Sequence, residues 1–132
     1  MEKVKISIPG KPDYITMVRL VSGSMASIAG FDIESAEDLK MAVAEACKLV
    51  SCHGEEGFSE KYNIEFEINQ NSVEILIVDD CTSHKIEKIK KPCQMCPAEG
   101  NLGRDVIKSL VDKMEVGKTA AGHKYIRMVK RV

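Results

Sequence analysis

Residues 62–78 constrain the fold more than any other stretch. Tyr62, Ile64, Phe66 and Ile68 alternate with Asn63, Glu65 and Glu67, the period of two that a half-buried strand requires. The polar cluster Asn69, Gln70, Asn71 and Ser72 suits a reversal of the chain. Val73, Ile75 and Ile77 then resume the alternation with Leu76 and Val78 between them, so the returning strand is the more buried of the two. Two such runs around so short a turn specify an antiparallel pair. A hairpin is marginal alone, and the rest of the chain must cover one of its faces.

The flanking segments supply that cover. Lys3 to Ile8 alternate as a half-buried strand, ended by Pro9 and Gly10. From Pro12 to Gly30, apolar residues recur at Ile15, Val18, Val21, Met25 and Ile28, which is helical spacing with a suitable stop at Gly30. Ser22, Gly23 and Ser24 are weak helix formers, so a close neighbour is expected there. Ser35, Glu37 and Asp38 read as a second helix start, and Leu39, Val43, Ala46 and Val50 as its core stripe, ending near His53 and Gly54. Asp38, Met41, Glu45, Leu49 and Cys52 share a neighbouring face. Residues 79–101 hold no period and read as a long connecting loop, of a length that is usually functional or mobile. Leu102 to Met114 returns to helical spacing through Val106, Ile107, Leu110 and Val111, and Glu115-Val116 and residues 124–129 read as final strands around a turn at Gly117 to Gly122. The order β-α-α-β-β-α-β-β predicts an α+β two-layer sandwich: one mixed or antiparallel sheet with helices on one face.

At 132 residues the chain is expected to form one domain over 1–132. A net charge of −1, no Trp and only three Phe argue against nucleic-acid binding. Neither a secretory signal nor a membrane span is visible, so a cytoplasmic location with reduced thiols is expected.

Several motifs fall on these elements in order: Ile8-Pro9-Gly10-Lys11-Pro12 followed by Val18-Arg19-Leu20, the stretch from Phe31 to Cys47, Ile107-Lys108-Ser109-Leu110-Val111-Asp112, and the closing stretch from Gly122 to Lys130. In these the chain resembles the anti-sigma-factor serine kinases of the GHKL, or Bergerat-fold histidine-kinase-like, ATPase superfamily across nearly its whole length. The resemblance implies binding of ATP and magnesium, phosphorylation of a serine on an anti-anti-sigma protein, capture of a sigma factor, and homodimers formed through the first strand and helix. It makes Glu45 the general base, which needs a carboxylate in reach of the attacking hydroxyl; the plainer reading is a solvated helical glutamate. It expects an asparagine as magnesium ligand where this chain has Leu49, and leucine offers a hard cation no lone pair. Asp79 takes the position that accepts from the adenine amino group, and it also suits a turn cap beside Asp80. Two glycines expected beyond it are Cys81 and Ser83 here, so Cys81 adds bulk beside the adenine pocket. Gly100, Asn101, Leu102, Gly103 and Arg104 precede a helix, where free amides suit phosphate, although such a helix start is common. A Gly-Thr pair expected before the last strand is Gly122-His123.

The five cysteines are an odd number, which argues against a disulfide framework. Cys47 reads as core. Cys81, His84, Cys93 and Cys96 give C-x2-H-x8-C-x2-C, two short pairs that suit tetrahedral zinc, with an Fe–S cluster or a Cys93–Cys96 redox couple as alternatives and unliganded thiols as the plain reading. The lysines 85, 88, 90 and 91 read as a solvated run. Two functions follow: an ATP-dependent serine kinase and anti-sigma factor, or a non-catalytic protein-binding regulator on the same fold, switched by a metal or thiol site in residues 81–96. Elemental analysis of anaerobically purified protein separates them: near-stoichiometric zinc or iron is the expected outcome of the switch, and metal-free protein with five titratable, redox-silent thiols removes it.

Overall fold

A computed structural model describes residues 2–10, 12–50, 61–79, 105–121 and 123–131. Strand β1 (Glu2–Pro9) leads into helices α1 (Pro12–Ile28) and α2 (Ile33–Val50); the hairpin β2 (Lys61–Asn69) and β3 (Ser72–Asp79) follows. Residues 105–110 are helical (α3), and β4 (Lys113–Lys118) and β5 (Lys124–Arg131) close the fold. Among the described residues the elements come in the expected order. Of the two sheet types left open, the antiparallel one is found: five strands in the order β1-β2-β3-β5-β4, each pairing antiparallel to its neighbour.

The register aligns whole rows of apolar side chains. Ile6, Ile64, Ile77, Ile126 and Val116 lie side by side across the sheet, and so do Val4, Phe66, Ile75, Met128 and Met114. These rows face α1 and α2, joining Val18, Met25, Leu39, Val43 and Ala46 in one core. Burying Ile or Phe side chains of this kind is worth about 1.5–3 kcal/mol each. The opposite face is charged, with Lys5 beside Glu65 at 3.5 Å and Arg127 beside Glu74 at 3.3 Å. Such exposed pairs add little stability but keep that face wet.

Local chemistry sets the ends. The hairpin register pairs Asn69 with Ser72, leaving Gln70 and Asn71 as its turn. Helix α2 is capped three residues earlier than Ser35: the Ser35 N–H donates to Asp32 Oδ1 at 2.8 Å, and that bond, helped by the Ser35 hydroxyl, holds the Asp32 carboxyl below its ordinary range. Helix α3 stops at residue 110, short of the expected Met114. Asp112 N–H donates to Val129 O, its Oδ2 accepts from the Arg131 N–H, and Met114 pairs with Met128, so sheet pairing claims residues whose spacing is also helical. Strand β4 likewise runs through Gly117, expected in a turn. A Cβ there would stand 2.9 Å from the Tyr125 hydroxyl, so glycine makes room for the ring across the ladder.

Helix α1 ends in a Schellman motif. Phe31 N–H donates to Ala26 O, Gly30 N–H donates to Ser27 O, and Gly30 has φ of 87°. Phe31 then folds onto the core, while Ile28, expected among the helix's recurring apolar positions, is 62% exposed. The close neighbour expected at Gly23 is the Lys40 side chain of α2. Replacing Gly30 by Ala is expected to cost about 1 kcal/mol, read as a lower urea midpoint at unchanged slope, because a side chain at that φ is strained even with open space around it.

Candidate functional site

The central strand carries the most telling residue. Val73, Ile75 and Ile77 point inward and are fully buried, and residue 79 is the next position in the same register. Asp79 is thus a carboxylate where the pattern calls for a hydrocarbon, and it is only 4% exposed. It pairs across the ladder with Tyr62, itself buried. A buried carboxylate is costly unless polar groups meet it. Asp79 has polar interactions within the fold, while its Oδ1 oxygen is enclosed and takes no hydrogen bond from the described residues. Its place is the last inward position of a strand.

Helix α2 packs against β3 and β5 and carries the second candidate. Leu39, Ala42, Val43, Ala46 and Cys47 are its core stripe, and Glu45 sits half-buried on the flank, with polar interactions of its own. The helix therefore fixes Glu45 by burying the residues on either side of its turn. Leu49 falls in the last turn of α2; its side chain and that of Val50 lie outside the described residues.

Also outside them are Cys52, His53, Asp80, Cys81, Ser83, His84, Cys93, Cys96, Gly100, Asn101, Leu102, Gly103, Arg104 and Gly122. Among the described residues, no group of three or more His, Cys, Asp or Glu is arranged to hold a metal ion. Also among them, no helix is long and apolar enough to cross a membrane. His123 is described: the Thr119 N–H donates to its carbonyl at 2.7 Å, and the His123 N–H donates to Thr119 Oγ1 at 3.2 Å, closing the turn before β5.

One residue escaped sequence reasoning. Lys130 on β5 donates from Nζ to Leu110 O at 2.7 Å and lies 4.0 Å from Asp38 Oδ2. A strand lysine twenty positions from its acceptor leaves no local signal.

Residues 8–130 match the histidine kinase-like ATPase domain family. The chain belongs to that family. It is similar to the serine-protein kinases RsbW of Bacillus thuringiensis (strain Al Hakam) and Bacillus cereus (strain 03BB102), 30% identical to each over 96% of this chain and 86% of the relative. The RsbW of Bacillus mycoides (strain KBAB4) is 29% identical over the same shares. The resemblance read from the residues is thus the family found, and the antiparallel sheet with its helices is a histidine kinase-like ATPase fold.

Within that fold Cys47 is core, as expected. Burial pushes its thiol up from the ordinary 9.0 to about 12. A raised thiol pKa favours folding fully below the ordinary value and loses that contribution as pH climbs towards the folded one. At pH 8 Cys47 should therefore resist iodoacetamide in the native protein and react once the chain is unfolded in guanidinium, read by peptide mass analysis; labelling at the same rate in both states would contradict its burial.

Proposed function

We propose that this single domain is an anti-sigma regulatory factor of the serine-kinase kind that binds an adenine nucleotide and has lost its magnesium ligand. The observation that carries the reading is Asp79, a carboxylate buried at the inward end of the central strand. A carboxylate there fits an exocyclic amino group, which donates hydrogen bonds and excludes bases lacking it. Residues 100–104, ending in Arg104, stand next in the chain as the phosphate-holding segment, ahead of α3. The metal end does not fit. Position 49 holds a hydrocarbon where an oxygen donor is needed, so no step is assigned to magnesium.

The nucleotide, when bound, supplies the phosphoryl group. Glu45 on α2 would take the proton of an attacking serine hydroxyl at its carboxylate, and the half-buried setting keeps that group on a fixed helix rather than a loop. By its relatives' description as serine-protein kinases, the acceptor is a protein serine. The partners proposed are an anti-anti-sigma protein, a sigma factor and a second copy of the chain, in the cytoplasm. The second reading, a non-catalytic binding regulator, is favoured by Leu49 alone, and its metal or thiol site at Cys81, His84, Cys93 and Cys96 is carried by the spacing of those residues.

Calorimetric titration with ATP tests the proposal. Saturable binding that changes little when magnesium is removed is expected. Asp79→Asn should weaken it by about tenfold or more, the worth of one hydrogen bond to a charged group. Leu49→Asn should make binding magnesium-dependent. No saturable binding by the unsubstituted chain would remove the nucleotide reading, and magnesium dependence without the substitution would remove the claim about position 49.

A further inference from the structure

The last inward row of the sheet differs from the rows behind it. Ile8, Tyr62 and Asp79 lie side by side across β1, β2 and β3, and they are 3%, 2% and 4% exposed. The rows behind are hydrocarbon throughout: Ile6, Ile64 and Ile77, then Val4, Phe66 and Ile75. Opposed side chains on one face of an antiparallel pair stand about 5 Å apart at Cβ. The Tyr62 ring is therefore the neighbour of the Asp79 carboxylate on its β2 flank, with Ile8 beyond the ring. Tyr62 is also among the largest fully buried side chains of the described residues, and interactions within the fold hold it. The strand period requires only an apolar residue at 62. An aromatic ring fills that place and reaches past its own Cβ to the carboxylate beside it.

We propose that Tyr62 is a positioning residue that sets base specificity through Asp79: its ring keeps water off the β2 flank of the carboxylate, so the site selects for the exocyclic amino group. This rests on the nucleotide reading above and deepens it. A carboxylate open to solvent discriminates poorly, because water replaces whatever donor a wrong base lacks. Burial reverses this. It strengthens each hydrogen bond the carboxylate accepts, and it makes a ligand without the donor leave a charged oxygen short of one. Asp79 Oδ1 is enclosed, and Tyr62 supplies the enclosure on one side. A smaller side chain at 62 would leave a space beside a charge, polar and roomy enough to admit water. The ring, rather than the phenol hydroxyl, does this work, so phenylalanine should serve as well.

Calorimetry with ATP and with purine riboside triphosphate, which carries hydrogen in place of the amino group, measures the preference. The unsubstituted chain should favour ATP by about a hundredfold, the scale of a buried charged acceptor left without its donor. Tyr62→Val should cut that preference about tenfold, because a water then stands in for the missing amino group. Tyr62→Phe should keep it. Phe66→Val is the control: it shortens a fully buried β2 side chain that pairs with Ile75 instead of Asp79. It should lower the melting temperature and leave the preference unchanged, which separates water exclusion from a general loss of packing. If Tyr62→Val does not fold, Tyr62→Leu, which also lacks the ring, carries the same test. An unchanged preference in the folded Val or Leu variant would overturn the inference alone, as would an equal loss in Tyr62→Phe or in Phe66→Val. No ATP binding by the unsubstituted chain, or no preference for ATP, would overturn it together with the nucleotide reading.

Discussion

The inward register of β3 is the constraint on which the rest of the structure depends. β3 is the middle strand of five, paired along its length with β2 on one side and β5 on the other. Its inward residues are therefore shielded by ladders on both flanks and by helices above. Val73, Ile75 and Ile77 use that shielding to anchor rows of apolar side chains that run from β1 to β4. Because the strand period is two, a slip of one residue would expose all three and turn Asp79 outward. The packing that stabilises the sheet is thus the same packing that buries the carboxylate.

Helix α2 repeats this economy in a different geometry. Leu39, Val43 and Ala46 pack against the sheet, and the helical pitch leaves Glu45 on the flank of that stripe. A change of core residue in α2 would be felt at Glu45, and the demand for burial limits which way the helix can turn. The position four residues later carries Leu49, a hydrocarbon side chain, in a chain that keeps the family's fold. Frame and chemistry separate readily because most of the buried area stabilises the first and only a few side chains decide the second.

How much was legible varies residue by residue. The hairpin, the core stripe of α2 and the burial of Cys47 were plain because each rests on neighbours along the chain. The end of α3 was not. Val106, Ile107, Leu110, Val111 and Met114 keep a helical period, and only the pairing of Met114 with Met128 takes the last of them into β4. The start of α2 was misplaced by three residues, since Ser35 and Asp32 are both good caps and the choice falls to the one whose oxygen meets a free N–H. Asp79 admitted two readings in sequence, and its burial is a property of the assembled sheet. Lys130 carried no signal, because its partners Leu110 and Asp38 are remote in the chain.

The sequence by itself determined the elements, their order and the family, for these follow from periodicity, turn residues and motifs read a few positions at a time. The tertiary structure decided the strand order β1-β2-β3-β5-β4, the inward aim of Asp79 and the bridge from β5 to both helices. The physical reason is range: a residue's period is imposed by its neighbours in the chain, whereas its burial and its ionic partners are imposed by whichever distant segments the sheet and core bring beside it.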